Sequence, residues 1–144
     1  MTRTEEHIKE EKKKKIMAAA LKVFSKKGYS PAALDEVARR AGIAKGTLYL
    51  YFADKEDLFY STVMSVLDNV ASYMRENINV AMSPLNLLER LTYLQIKFFS
   101  TNRDFHGIFY TIINENLGTI HRKLFEALEK KRNELIGFVG EVVE

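Results

Sequence analysis

LDEVARRAGIAKGTLYLYFADKEDL, residues 34–58, is the stretch on which the reading turns. Leu34, Val37, Ala38 and Ala41 fall on one stripe of a short helix, which Gly42 stops after about two turns. A second short helix is expected from Ala44 to Phe52, with Leu48 and Phe52 four residues apart on its inner face. Two short helices joined by a tight Ala-Gly-Ile turn make a helix-turn-helix, whose second helix can enter a DNA major groove. Leu34, Val37, Ala38, Ile43, Leu48 and Phe52 are the natural core of such a unit. Removing them leaves Lys45, Gly46, Thr47, Tyr49, Leu50 and Tyr51 as the outward or rim residues. A solvated helix has no reason to show two tyrosines and a leucine there, whereas a helix pressed into a groove does. Lys45 can reach base acceptors or phosphate, Thr47 and Tyr49 can bond phosphate, and Leu50 can meet a thymine methyl. Gly46 permits close backbone approach. Lys55, at the start of the next helix, adds charge beside amides that already favour an anion.

Working outward, every periodic segment is helical and none alternates as a half-buried strand would. The fold class expected is all-α. A first helix should start between Glu5 and Lys9 and run to Lys27, with Ile16, Ala20, Val23 and Phe24 inward and Gly28 ending it. After the reading unit, Asp54 is the N-cap of a long helix that fades near Asn79. Ser83-Pro84 opens the next, marked by Leu88, Leu91, Gln95 and Phe98 and ending near Thr101. Phe105, Ile108, Phe109, Ile112 and Ile113 mark another, closed by Gly118, and a last helix begins near Thr119. The loop at 80–84 is the expected hinge. These elements divide into a three-helix reading domain over 1–55 and a helical ligand-sensing and dimerisation region over 56–144.

Charge follows the same division. Residues 1–55 hold 13 Lys and Arg against 7 Asp and Glu, while residues 56–144 hold 9 against 12. A basic head on an acidic body is the footprint of a polyanion binder with a separate second function. The chain has no cysteine, which excludes disulfides and thiolate metal sites and is compatible with a reducing cytoplasm. No stretch reaches the roughly 18 apolar residues of a membrane helix, and the charged N-terminus has no apolar run of a secretory signal behind it. A cytoplasmic protein with no membrane partner is expected. His106 and His121 stand 15 residues apart without a metal-binding spacing around them, so no metal is expected, and no cofactor motif is present. No phosphate loop, paired-carboxylate motif or Ser/His/Asp order supports an enzyme.

The spaced pattern of Phe24, Gly28 and Tyr29, then Val37, Ala38, Ala41, Gly42 and Ile43, then Lys45 through Tyr49, Tyr51, Phe52, Lys55, Glu56 and Leu58 resembles the N-terminal domain of the tetracycline-repressor (TetR) family. The likeness covers about residues 8–60. It implies a repressor, a homodimer on a palindromic operator in double-stranded DNA, whose helical C-terminal region binds a small effector and releases the DNA. It implies DNA contacts at Lys45, Gly46, Thr47, Tyr49, Leu50, Tyr51 and Lys55. The chain departs from the pattern at Ala33 and Ala44, where relatives carry hydroxyl side chains, and at Leu50, often His. Relatives are also longer, dimerising through two C-terminal helices that a chain of 144 residues is expected to lack, so the sensing region is expected to be shortened.

Beyond residue 60 the residues say less. Tyr73, Phe98, Phe105, Phe109 and Tyr110, with Phe99 and Met82, could line an apolar pocket, and Asn102, His106, Asn114 or His121 could supply its polar points. Plain core is the competing reading for each. The stripe Leu128, Leu135, Phe138, Val139 and Val142 is too apolar to face water and is expected to meet a second copy or absent residues. Two alternatives stand beside the effector-released repressor: a constitutive DNA-binding regulator without effector, and a helical protein-interaction module using that stripe.

Overall fold

The computed structural model describes residues 2–79 and 81–143, the side chains of 142 and 143 excepted. Among the described residues every regular element is a helix: α1 (Arg3–Lys27), α2 (Leu34–Ala41), α3 (Lys45–Leu48), α4 (Lys55–Glu76), α5 (Pro84–Thr101), α6 (Arg103–Asn114) and α7 (Thr119–Val143). The chain begins its first helix earlier than the apolar pattern suggests. Thr2 and Glu5 form a capping box, the Thr2 side chain accepting from the Glu5 amide while the Glu5 carboxylate accepts from the Thr2 amide at 2.7 Å. Local hydrogen bonding therefore supports turns that no core covers.

Gly42, at φ 71° and ψ 34°, ends α2, and the Ile43 amide turns back onto the Ala38 carbonyl at 3.0 Å. The second helix of the unit is shorter than expected. After Leu48 the bonds tighten, Leu50 N–H to Thr47 and Tyr51 N–H to Leu48, and residues 49–51 form a turn instead of helix. Leu48 and Phe52 nevertheless both point inward and are fully buried, as the spacing requires.

One buried cluster runs from Ile16 and Phe24 of α1 through Val37, Leu48 and Phe59 to Ile108, Leu117, Ile120 and Leu124. α6 therefore forms part of the floor under the first helix. α6 crosses α1 where Gly107 meets Ser25: Lys22 and Ser25 bond Asp104 before the crossing, the Thr111 hydroxyl reaches the Phe24 carbonyl after it, and Glu115, the residue after α6, bonds the chain just past α1. α4 and α7 run in the same direction, with ion pairs Lys123–Glu56 at 2.9 Å and Lys131–Asp68 along their length. Such exposed pairs fix register more than they stabilise.

Three expectations need correction. On α5 the inward stripe is Leu87, Leu94 and Phe98, and Leu88 is turned outward. Leucines lie all around this helix, so the sequence admits two neighbouring stripes, and packing on α4 and α6 selects one. On α6, Ile108 and Ile112 are buried but Ile113 is exposed, and the helix ends at Asn114, four residues before Gly118. α4 stops at Glu76, three residues short of Asn79. The expected hinge at 80–84 includes Val80, which lies outside the described residues. Of the α7 stripe, Leu128, Leu135, Phe138 and Val139 are half-buried, and Val142 lies outside the described side chains.

Candidate nucleic-acid interface

The reading unit presents its second helix outward because the inward side is committed. Leu48 and Phe52 are anchored in the core, which leaves the opposite side of the 45–51 segment to solvent. Leu50 is 78% exposed and Tyr49 47% exposed. A Cβ placed on Gly46 would meet nothing within 4 Å. Packing of this chain therefore gives no reason for glycine there. Neither α2 nor α3 has a side-chain cap, since Ala33 and Ala44 stand at those positions, and their first amides carry no side-chain acceptor.

The remaining residues singled out in the sequence fall into different places. Lys45 is exposed but its ammonium donates to Asp35 of α2 at 3.1 Å. That surface pair is weak enough to exchange for another anion. Thr47 is half-buried on the rim. Tyr51 is half-buried and packs against the core, so it supports the reading face more than it belongs to it. Lys55 is turned back into the protein: its ammonium donates to the Ser30 carbonyl at 3.0 Å and lies 4.8 Å from the Tyr29 ring centre. Burial lowers its pKa, opposed by the Glu115 carboxylate nearby. The Tyr29 hydroxyl is pushed up by burial first and by Glu56 and Asp54 second.

Two residues that the sequence did not mark, Glu115 and Gly107, and one that it marked as a helix end, Gly28, organise this end of the molecule. Glu115, past the end of α6, accepts the amides of Tyr29 at 2.9 Å and Ser30 at 3.1 Å, and also the Ser30 hydroxyl. Gly28, at φ 82° and ψ −179°, lets the chain pass over that carboxylate, because any side chain there would overlap it. Gly107 of α6 lies against Ser25 of α1, where a Cβ would come within 2.7 Å of the Ser25 carbonyl oxygen. None of these partners is near in sequence, so no local pattern could have revealed them.

In the second half, the rings of Tyr73, Phe98, Phe105 and Phe109 gather between α4, α5 and α6. Phe98 lies 5.2 Å from Tyr73 and 5.1 Å from Phe105, and Phe99 bridges Phe98 at 5.7 Å to Phe109 at 5.3 Å. Asn102 sits beside them, its amide donating to the Phe98 carbonyl at 2.8 Å. His106 and Tyr110 point outward on α6. A groove of about 410 Å³ lies elsewhere, between α4 and α7, walled by Tyr60, Met64 and charged side chains including Lys123, Lys130 and Glu134. Among the described residues, no helix is long and apolar enough to cross a membrane, and no group of three or more His, Asp or Glu could hold a metal.

Comparison with known proteins bears on the same region. Residues 16–61 match the description of bacterial regulatory proteins of the tetR family. The chain is 28% identical over 133 residues to the HTH-type transcriptional regulator HbdR of Aromatoleum sp. (strain CIB), covering 92% of this chain and 58% of that one. It superposes on the fatty acid degradation regulator FadR of Bacillus halodurans with TM-score 0.77 at 27% identity, over 90% of this chain and 67% of that one. FadR of Bacillus subtilis, solved in complex with stearoyl-CoA, gives TM-score 0.77 at 24% identity, over 88% and 68%. The chain thus spans a little over half of its curated relative's length and about two thirds of these structures.

Proposed function

We propose, on the premise that this chain belongs to the tetR family of bacterial regulatory proteins, that it is a DNA-binding transcriptional repressor released from its operator by a small apolar or aromatic effector. The observation that carries the reading is the outward face of α3 and the turn after it: an open Gly46, an exposed Tyr49 and a largely exposed Leu50 on a helix-turn-helix with a buried Leu48 and Phe52. No packing demand of this chain accounts for that face, whereas a major groove does. Lys45, Gly46, Tyr49 and Leu50 are its contact residues, with Thr47 and Tyr51 at the rim. Lys55 acts by holding the Tyr29–Ser30 turn in place, and can reach phosphate only by giving up the Ser30 carbonyl.

Residues 1–55 do the reading and residues 56–144 the sensing. The effector site is placed at the aromatic cluster of Tyr73, Phe98, Phe105 and Phe109, with Asn102 as its polar point. His106 and Tyr110 join it only if α6 rotates. The stearoyl-CoA held by the Bacillus subtilis FadR makes a long-chain acyl thioester the first compound to try. Two copies on a two-fold axis read a palindromic site, and the outer faces of α5 and α7, with Leu88, Ile96 and Ile136 exposed, are apolar surfaces open to a second copy. A cytoplasmic, non-enzymatic protein completes the reading.

Two measurements test it. Tyr49→Ala and Lys45→Ala should each weaken duplex binding with unchanged thermal midpoints, and Lys45→Ala should lower the slope of log affinity against log salt by about 0.9. Wild-type binding by both would remove α3 as the reader. Gly46→Ala should separate fold from function. It should leave stability equal or raised by about 0.5–1 kcal/mol, as for glycine in a helix, while weakening duplex binding by blocking the backbone's approach. Affinity unchanged by this methyl group would mean that the backbone at Gly46 does not approach DNA.

A further inference from the structure

α1 is longer than its core. Its first buried side chain is Ile16, so residues 3–15 form about three and a half turns, roughly 20 Å of helix, in front of it. The capping box at Thr2 and Glu5 holds those turns in place from the far end. The near end lies at the reading unit, where the Lys13 ammonium lies 5.7 Å from the centre of the Phe52 ring, one residue past the turn that follows α3.

The charges on this extension are sorted. At about 100° per residue, Lys9, Lys12 and Lys13 fall within about 60° of the direction in which Ile16 points. The only carboxylate in that sector is Glu5, already bonded to the Thr2 amide. Glu10, Glu11 and Lys14 lie on the far side, where Glu11 and Lys14 pair at 3.8 Å. The side that faces inward at Ile16 thus continues outward, past the end of the reading helix, as a lysine stripe. Lys9 and Lys12 are exposed, and no side-chain hydrogen bond or ion pair is found for them among the described residues.

We propose that this extension is a second duplex-binding surface, Lys9 and Lys12 in line with Lys13 gripping phosphates beside the groove that α3 reads. The proposal rests on the reading of α3 as the duplex reader. It adds affinity without sequence preference, because phosphate contacts position a reader and base contacts specify. Lys13 is held against Phe52 and sets the stripe's place relative to α3.

The test compares four forms of the chain on a mixed-sequence duplex about three helical turns long, with affinity measured across a salt series. They are wild type, Lys9→Gln/Lys12→Gln, the control Lys14→Gln/Lys15→Gln outside that sector, and Lys45→Ala/Tyr49→Ala. Each glutamine pair removes the same charge and keeps good helix propensity, so equal thermal midpoints are expected. Loss of two phosphate contacts should make the slope of the Lys9/Lys12 pair shallower by about 1.8. A fourfold rise in salt would then weaken it about twelvefold less than wild type. The control pair should move the slope much less. An equal change in both pairs would reduce the effect to net charge and overturn the proposal. So would no change in either. If Lys45→Ala/Tyr49→Ala weakens binding while Lys9→Gln/Lys12→Gln does not, only the extension falls. If folded wild type ignores duplex altogether, the reading of α3 falls first.

Discussion

Phe59→Ala should lower the free energy of unfolding by about 3–5 kcal/mol. The Phe59 ring is fully buried where α1 and α4 meet, edge-on to Phe24 at 5.0 Å and to Tyr29 at 4.9 Å. Truncation removes its transfer free energy, both edge-to-face contacts and the packing of two further rings. Tyr29 in turn carries the Lys55 ammonium on its face, so the void opens directly beneath the turn that joins α1 to α2. Typical domains have only about 5–15 kcal/mol in total, and a loss of this size brings many of them near unfolding. Chemical denaturation checks it: the midpoint should fall with the slope unchanged. A loss under about 1 kcal/mol would mean that the surrounding helices collapse into the space.

Gly107→Ala should destabilise by about 1–3 kcal/mol through the opposite fault, overpacking. The added methyl carbon would lie 2.7 Å from the Ser25 carbonyl oxygen and 3.1 Å from its Cα. These are backbone atoms of α1, which cannot swing aside as a long side chain can. α1 and α6 must separate, and the bonds on either side of the contact, Asp104 to Ser25 and Glu115 to Tyr29, stretch with them. Ser25→Ala offers no rescue, because the clash is with the main chain. A measured change within about 0.5 kcal/mol of zero would show that the two helices have slack between them.

Legibility in the sequence tracked the range of the interaction. Gly42 and the i, i+4 pair Leu48 and Phe52 act over a few residues, and the reading unit was therefore recoverable from a single quoted stretch. The outward character of Tyr49 and Leu50 followed from assigning the inward ones first. Where two stripes compete, as among the leucines of α5, periodicity could not choose between Leu87 and Leu88, since only the neighbouring helices break the tie. Lys55 reads as a phosphate ligand in one dimension because the Ser30 carbonyl it bonds is 25 residues away. Asp104, Gly107 and Glu115 act across about eighty residues, and nothing around them announces it. The capping box at Thr2 and Glu5 is the exception. It is wholly local, and the lack of apolar residues around it concealed a helix start that hydrogen bonding alone supports.

The grip of Glu115 on Tyr29 and Ser30 joins positions 86 residues apart. On a ribosome adding roughly 5–20 residues per second, the clasp therefore arrives about four to seventeen seconds after the turn it fastens. Leu117, Ile120 and Leu124, which close the same core, come later still. Throughout that interval the nascent chain already displays the lysine stripe and the α3 sequence without the floor that orients them. Vectorial synthesis thus delivers the charges of the basic end before its geometry, and the last third of the chain determines when the first third reaches its folded form.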